Sequence, residues 1–342
     1  MTRSDFASAQ SCVSEQNGSP NYRPPAFQPA FPMGGGPKVL FDEAHHNFHT
    51  ISPILGGRYT GRYFAFGELL KADGYRVSIN KSKFTKETLK GFSVLVISGA
   101  APAPFVVCNK DRGIFVPNSK SSGPAFTAEE VTAVRQWVHN GGSLLLATDH
   151  VPFGFNAGML SAAFGVVSSD GLVVDSQRET YTKANRGIPA DGLHPIISET
   201  GFGPAGLTVR TFGAGALISP TGATVLLRYS GAALNAHMDI YAWIAFNEIL
   251  RLIGSVPTAS VVELLYALSL MNEGSVKIGS AGFQAAGVAV DAGKGRVVVL
   301  ADQAMLTEQE ANGELTGGLV VSGSDLGNTQ FVLNVMRWLG RR

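Results

Sequence analysis

The chain has 342 residues, of which 45% are apolar, and it carries a formal net charge of +1 and two cysteines. That much apolar sequence can bury the core of a large globular domain, and a near-neutral chain without a dense Lys/Arg stripe has no electrostatic attraction for nucleic acid. The cysteines lack C-x-x-C spacing, which excludes a zinc-thiolate site, argues against a disulfide framework and leaves one bridge open.

The first segment, residues 1–36, concentrates Pro, Gly, Ser and Asn without periodicity, and this predicts a disordered or extended N-terminal arm. No apolar run approaches the length of about 18 residues that a membrane-spanning helix needs, so we expect no transmembrane segment. Charged residues make up only 15% of the chain, against an average of about 25%. This composition favours a periplasmic or secreted protein, with a cytoplasmic protein as the alternative.

Strand and helix patterns alternate after the arm. Residues 38–44 predict a strand, 62–74 an amphipathic helix and 75–80 a second strand. A short helix is expected at 85–91. The continuous apolar run at 93–99 is typical of a strand buried on both faces of a parallel sheet.

The second half of the predicted sheet begins with a capping box. Thr127 with Glu130 starts a helix that Gly141 and Gly142 end, and an apolar strand follows at 143–149. Later segments predict helical inserts and closing elements: strands at 222–229 and within 286–302, and helices at 239–254, 260–271 and 329–339. The alternation favours one α/β domain over residues 37–342, with a doubly wound, mostly parallel sheet and elaborated loops.

In an open α/β sheet, ligands bind outside the carboxyl ends of the strands, so the residues after each strand are the candidates for a site. Four strand ends carry polar or ionisable residues: Asp42, Glu43, His45, His46 and His49 after the first, Ser98 after the third, Asp149 and His150 after the fourth, and Asp302 after a late one. Buried polar groups need partners. Their convergence predicts a crevice in which Asp42, Ser98 and Asp302 bind a polar substrate.

The histidines can be interpreted in two ways. His45, His46 and His49 offer the i,i+3 and i,i+4 spacings of zinc ligands, and Asp149 or His150 could complete or orient the ligand set. The glutamate precedes the histidines, so the H-E-x-x-H pattern is absent. A divalent metal such as zinc therefore stays open beside the alternative that the imidazoles only form hydrogen bonds in a tight loop.

Proton transfer needs fewer groups. Glu43 or Asp149 could act as general base for a water, with His150 as the acid partner; alternatively, Asp149 caps a helix N-terminus after its strand. Arg58, with Arg62 nearby, could clamp a carboxylate or phosphate of a ligand. The alternative is that these arginines pair with acidic side chains at the surface.

Several sequence blocks, spaced over about residues 38–340, together resemble a known superfamily. They are VLFDEAHHNFHT, RYFAFGELLKADGYRV, VLVISGAAP, TAEEVTAVRQWVHNGGSLLLATDHVPFG, LHPI, GKGRVVVLADQAML and NTQFVLNVMRWL. This spacing resembles the class I glutamine-amidotransferase-like superfamily, in particular a bacterial branch related to gliding-motility and intraflagellar-transport type domains. The resemblance implies a flavodoxin-like fold. Asp149 or its neighbour stands where true amidotransferases have their cysteine nucleophile, so glutamine hydrolysis is not implied.

These patterns predict a hydrolase that acts on a small or polymeric polar substrate, with Glu43, Asp149 and His150 in proton transfer. The alternative is a non-catalytic domain that binds a ligand or a protein partner, in which the same residues hold a loop in shape. Nucleotide-binding patterns such as G-x-x-x-x-G-K-[ST] are absent from the sequence.

Overall fold

A computed structural model of the chain describes residues 12–14, 16–109, 113–175, 186–189, 194–198, 202, 207–253, 258–271, 276–311, 313–320 and 327–341. All of the predicted site residues lie within these ranges. No helix in them is long and apolar enough to span a membrane.

The strands in the described residues are numbered in chain order: β1 (Gln16–Gly18), β2 (Lys38–Asp42), β3 (Arg76–Asn80), β4 (Val94–Ser98), β5 (Val106–Asn109), β6 (Ile114–Pro117), β7 (Ser143–Ala147), β8 (Val167–Ser168), β9 (Gly171–Asp175), β10 (Arg186–Pro189), β11 (Val209–Arg210), β12 (Leu217–Ile218), β13 (Thr224–Arg228), β14 (Ala233–Met238), β15 (Val276–Ser280), β16 (Ala285–Ala292), β17 (Gly295–Leu300), β18 (Gln309–Ala311) and β19 (Glu314–Thr316).

The α-helices in the same residues are α1 (Phe64–Ala72), α2 (Lys86–Leu89), α3 (Ala128–His139), α4 (Phe153–Asn156), α5 (Gly158–Ala162), α6 (Ile240–Ile253), α7 (Thr258–Met271) and α8 (Gly327–Leu339). Short 3-10 helices lie at Leu55–Gly57, Ser119–Ser121 and Ala304–Leu306. Helix α3 begins at the predicted capping box, because Thr127 Oγ1 accepts from Glu130 N while the Glu130 carboxylate accepts from Thr127 N.

The large sheet has a parallel half and an antiparallel half. Strands β3, β2, β4, β7 and β17 lie side by side in that order, and each neighbouring pair is parallel. Counted along the chain, these five strands have the spatial order 2-1-3-4-5. Beyond β17, strands β16, β13, β10 and β11 continue the sheet antiparallel. The α/β prediction is therefore confirmed as a large mixed sheet with helices.

Alternating side chains give the parallel half two buried faces. Val39 and Phe41 of β2 pack on the face that α1 and α8 cover, whereas Leu40 between them packs on the face that α3 covers. Strand β4 divides in the same way, with Val96 on the first face and Leu95 on the second. Helices thus cover both faces, which explains why these strands are continuous apolar runs.

The N-terminal arm packs on the domain over its described part. Strand β1 pairs antiparallel with β18, and Tyr22 belongs to the core cluster on the α1 face. A disulfide joins Cys12 to Cys108 at the end of the β5–β6 hairpin. This is the one bridge that the cysteine count left open.

Candidate functional site

The carboxyl ends of the parallel strands bring the predicted residues to one edge of the sheet. The register places Ser98 beside Ala147, and Asp149 and Asp302 each lie two residues beyond the aligned ends of β7 and β17. Asp42 is the last residue of β2, the neighbour of β4. Side chains from four strands thus meet where ligands bind in sheets of this kind.

His45 lies between two carboxylates. Its Nδ1 is 2.8 Å from Asp42 Oδ2 and its Nε2 is 2.9 Å from Glu130 Oε1, and all three side chains are buried. Burial opposes the imidazolium, but the hydrogen bonds and charges of the two carboxylates outweigh it and raise the pKa of His45. Both ring nitrogens are occupied by protein partners, so this clamp holds the loop in place.

Two asparagines complete the clamp around Asp42. The Asn47 side chain donates to Asp42 Oδ2 at 3.0 Å and to the Ser98 carbonyl at 2.9 Å. Asn80 Nδ2 donates to Asp42 Oδ1 at 3.2 Å. The Asp42 carboxylate therefore makes its hydrogen bonds with protein groups and ties the loop to three strands. It does not present a free group to a substrate.

His46 has a different environment from its neighbour. It is exposed and has a φ of +46°, a left-handed conformation that is uncommon for residues other than glycine, although histidine tolerates it better than most. The clamp at His45 fixes the backbone before His46. A hydrogen bond that His45 N donates to Asn47 Oδ1 fixes the backbone across it. The strain at His46 is therefore held by its surroundings.

His49 faces the interior instead. It is 4% exposed and packs against the rings of Phe48 and Tyr63. Burial and then the nearby Arg62 charge lower its pKa well below the ordinary value, although the Gln303 side chain favours the charged form. Neither ring nitrogen has a hydrogen-bond partner within 3.5 Å among the described residues. The imidazole is thus neutral and lies in an aromatic environment.

The structure does not bring the three predicted metal ligands together. Both nitrogens of His45 are used by carboxylates, His46 is exposed and His49 is buried against Tyr63. Within the described ranges, no group of three or more His, Cys, Asp or Glu side chains is arranged to hold a metal ion. The metal interpretation therefore has no ligand set in this part of the chain.

Asp149 and Asp302 form a second buried cluster. Asp149 accepts from the backbone N–H groups of His150 and Gln303, and Asp302 accepts from Phe212 N and Met305 N. Burial raises the pKa of Asp302 to about 6, and burial with the neighbouring Asp302 charge raises the pKa of Asp149 well above its ordinary value. Two neighbouring buried carboxyl groups therefore keep a proton at a pH at which isolated carboxyl groups would lose it.

His150 does not complete a proton-transfer pair with Asp149 in this geometry. Its Nδ1 is 2.7 Å from the Val151 carbonyl, and its Nε2 lies 3.7 Å from Asp149 Oδ1, which is too long for a hydrogen bond. Its ring stacks on Trp243 at 4.0 Å between centroids. Burial lowers the pKa of His150 to about 4, so the imidazole is neutral near pH 7. The N-cap alternative for Asp149 is also not seen, because α4 begins after Pro152 and has no side-chain cap.

Ser98 is also engaged within the protein. Its hydroxyl donates to Gln303 Oε1 at 3.1 Å, and Tyr63 Oη donates to the Gln303 carbonyl at 3.1 Å. Gly99 follows with a φ of +55°, where a Cβ would lie 2.6 Å from Gln303 Oε1. Gln303, which the sequence analysis did not select, therefore joins the ends of β4 and β17.

A cavity of about 250 Å³ opens beside these clusters. Its lining combines aromatic and aliphatic side chains with a few polar ones: Ser14, Glu43, His46, Asn47, Phe48, Thr50, Ile54, Leu55, Arg62, Pro104, Phe105, Val106 and Phe115. An apolar cavity with few convergent polar groups is the usual form of a small-molecule site.

Arg62 is the unusual member of this lining. Its side chain is 6% exposed, its Nη1 donates to the Phe48 carbonyl at 3.0 Å, and its guanidinium lies 3.9 Å from the centre of the Phe48 ring. Its Nε is buried without a hydrogen-bond partner, and no carboxylate among the described residues lies within 4.0 Å of the guanidinium. Burial lowers its pKa to about 10, so the group is still a cation near pH 7.

The loop after β2 delivers Arg62 to the cavity. Tyr63 N donates to the Thr50 carbonyl at 2.8 Å, and a Cβ on Gly61 would collide with the carbonyl oxygens of Thr50 and Ser52. This close approach requires glycine immediately before Arg62. The Glu43 carboxylate holds the same loop, because its Oε1 accepts from Ile51 N and Ser52 N at 2.9 Å each.

Arg58, the arginine predicted to clamp a ligand, is exposed and lies over the Tyr59 ring at 5.3 Å. It lines a different cavity, of about 430 Å³, between the loop and α1. Of the two arginines considered in the sequence, the buried one thus belongs to the cavity at the strand ends.

Three aromatic residues of this cavity, Phe48, Phe105 and Phe115, were not selected from the sequence, and neither was Glu130 as a partner of His45. Their rings and carboxylate come from segments far apart in the chain. The aromatic residues of the 101–117 segment are the signal that could have indicated an apolar wall.

No family model matches the chain, and no curated protein matches it. Among solved structures, the chain is similar to the mmIFT52 N-terminal domain, with 14% identity, a TM-score of 0.51 and coverage of 88% of this chain and 96% of that chain. At this identity the likeness shows the fold alone.

Weaker similarities include amidotransferase-like proteins. A ThuA-like protein from Bacteroides uniformis ATCC 8492 has 14% identity and a TM-score of 0.40, with coverage of 94% of this chain and 95% of that chain. A GMP synthase-like protein from Thermoplasma acidophilum has 12% identity and a TM-score of 0.38, with coverage of 90% and 98%.

Proposed function

We propose that the chain is a binding domain for a small organic anion with an apolar body, and that the ligand occupies the cavity at the carboxyl ends of the parallel strands. The observation that carries this proposal is Arg62, a buried guanidinium that has no carboxylate partner among the described residues and lies in a cavity with aromatic walls. Asp42, His45, Asp149 and Asp302, by contrast, make their hydrogen bonds within the protein.

Arg62 favours an anion for an energetic reason. An unpaired buried cation is unfavourable because it has lost its hydration without gaining an opposite charge. A carboxylate bound to the guanidinium would restore that charge and add hydrogen bonds in a fork geometry. An anionic ligand that pairs with Arg62 would remove this unfavourable free energy, and such a ligand best explains a buried cation at a cavity wall.

The hydrolase expected from the sequence is the competing proposal. Of its three proton-transfer residues, Glu43 lines the cavity, whereas Asp149 is 3% exposed and accepts from two backbone N–H groups. His150 packs on Trp243. Hydrolysis would need these two groups to reach a substrate, and binding needs no such rearrangement.

Two finer interpretations belong to the same proposal. The spatial order 2-1-3-4-5 of the parallel strands is that of flavodoxin-like sheets, and we propose that fold for this half of the domain. The Cys12–Cys108 bridge supports a periplasmic or secreted location, because disulfides persist in oxidising compartments.

The test is calorimetric titration of the full chain with 3-phenylpropionate, whose phenyl ring matches the apolar walls. We expect saturable binding that Arg62→Met weakens by at least about tenfold, the effect of losing one charge-assisted contact. Arg58→Met is the matched control, because Arg58 lies outside the cavity, and it should leave the affinity unchanged.

Two results would overturn the proposal: undetectable binding of 3-phenylpropionate and of shorter apolar carboxylates such as butyrate, or equal binding by wild type and the Arg62 variant. Release of p-nitrophenol from chromogenic esters, lost in an Asp149→Asn variant that still folds, would favour the hydrolase instead.

A further inference from the structure

Glu43 is a second charged group in the same cavity that has no counterion in the part of the chain that the structure describes. Its Oε1 accepts both of its hydrogen bonds, from Ile51 N and Ser52 N, and its Oε2 accepts none from the described part of the chain. None of the ion pairs within 4.0 Å in the described residues involves Glu43. The two backbone donors therefore fix the carboxylate while leaving one oxygen available at the cavity.

Arg62 and Glu43 do not neutralise each other. Both line the cavity, yet their charged atoms are farther apart than the 4.0 Å of an ion pair. Arg62 instead lies on the Phe48 ring and is bonded to its carbonyl, and Glu43 is held by the loop that follows. One cavity thus presents a cation and an anion at separate positions on its wall.

Such a pair of charges distinguishes between classes of ligand. A simple anion would pair with Arg62 but would bring a negative charge towards Glu43. A simple amine would pair with Glu43 but would bring a positive charge towards Arg62. A molecule with both a carboxylate and an ammonium group compensates both. At about 250 Å³ the cavity is small for a ligand site, since drug-sized pockets start at about 300 Å³.

We propose that the ligand is a zwitterion of the amino-acid type with an apolar side chain: its carboxylate binds Arg62, its ammonium group binds Glu43 Oε2, and its side chain packs on Phe48, Phe105 and Phe115. This inference rests on the proposed function, because it assigns the ligand of the same cavity. It adds the amine and the residue that recognises it.

The experiment compares three ligands that share a phenethyl body, in calorimetric titrations of the full chain: L-phenylalanine, 3-phenylpropionate and phenethylamine. We expect wild type to bind L-phenylalanine at least about tenfold more tightly than either singly charged analogue. Glu43→Gln keeps a carbonyl oxygen for Ile51 N and Ser52 N and removes only the charge. This variant should bind L-phenylalanine and 3-phenylpropionate with similar affinities.

The ligand comparison in wild type needs no variant, so a folding defect cannot obscure it. If 3-phenylpropionate binds in an Arg62-dependent way and the amine adds no affinity, the zwitterion proposal fails while the anion-binding proposal stands. If benzylmalonate, which has a second carboxylate in place of the amine, binds more tightly than L-phenylalanine, the partner of the second group is a cation and the zwitterion proposal also fails. If none of the ligands binds, both proposals fail.

Discussion

Glu130 should stabilise the domain far more than an ordinary helix residue. Its Oε1 accepts from Phe84 N at 3.0 Å and lies 2.9 Å from His45 Nε2, while its Oε2 accepts from Thr127 N at 3.1 Å. Glu130→Ala removes all three contacts and leaves the buried Nε2 of His45 and two backbone donors unpaired. Breaking a buried pair in this way costs about 3 to 5 kcal/mol of the free energy of unfolding. Glu130→Gln keeps an acceptor and should cost about 1 to 3 kcal/mol.

The effect should depend on pH with a definite sign. The pKa of His45 is raised in the folded state, so its contribution is full below its unfolded value of about 6.5 and is lost as the pH rises through the folded value. Burial opposes ionised Glu130, but the His45 and backbone hydrogen bonds lower its pKa, so its contribution is lost as the pH falls through the folded value. The difference between wild type and Glu130→Gln should therefore be largest between about pH 4.5 and 6.5.

Urea unfolding at about pH 5.5 and pH 9 measures both effects. Glu129→Ala is the matched control, because Glu129 is the exposed neighbour in the same helical turn, and its urea midpoint should stay close to that of wild type. The reasoning would be refuted by a Glu130→Ala variant within about 1 kcal/mol of wild type at pH 5.5, or by a difference that grows from pH 5.5 to pH 9.

Two further predictions concern the bridge and the carboxyl pair. Reduction of Cys12–Cys108, which closes a loop with a sequence separation of 96, should lower the free energy of unfolding by about 4 to 5 kcal/mol; unchanged urea midpoints with and without reductant would contradict this. Because burial raises the pKa values of Asp149 and Asp302, and the Asp302 charge adds to the effect at Asp149, stability should fall as the pH rises from about 4 through about 6. A protonated-carboxyl infrared band should persist above pH 5 in wild type and be weaker in Asp149→Asn, and complete loss of the band by about pH 5 would contradict the expected proton retention.

The sequence indicated the parallel strands well because their pattern is local. Continuous apolar runs such as 93–99 and 143–147 are buried on both faces, and the capping box of Thr127 and Glu130 marks the start of α3. The strand-end rule needs only the positions of those runs, so it correctly placed Ser98, Asp149 and Asp302 at one edge. In the antiparallel half, β16 and β17 form a local hairpin, whereas the pairings of β13 with β16 and of β10 with β13 cross long insertions, which no local pattern encodes.

The histidine interpretation depended on an assumption about the backbone. The i,i+4 spacing of His45 and His49 puts two imidazoles on one face only if the segment is helical. His46 has a φ of +46°, which breaks any such helix, and the two rings end in different surroundings. One of the two partners of His45 is Glu130, 85 residues away. A tertiary contact at that separation could not be obtained from one sequence.

Ionisable residues cluster at this sheet edge for two distinct physical reasons. Asp42, His45 and Glu130 pair with one another in the interior, and their contacts fix the loop from Asp42 onward. Glu43 and Arg62 lie on that fixed framework without a counterion among the described residues, and their hydrogen bonds to the loop hold their charges in place before any ligand arrives. A ligand then loses little free energy in ordering the protein. It follows that Glu130→Ala should weaken ligand binding although Glu130 does not line the cavity. Glu129→Ala should leave ligand binding unchanged.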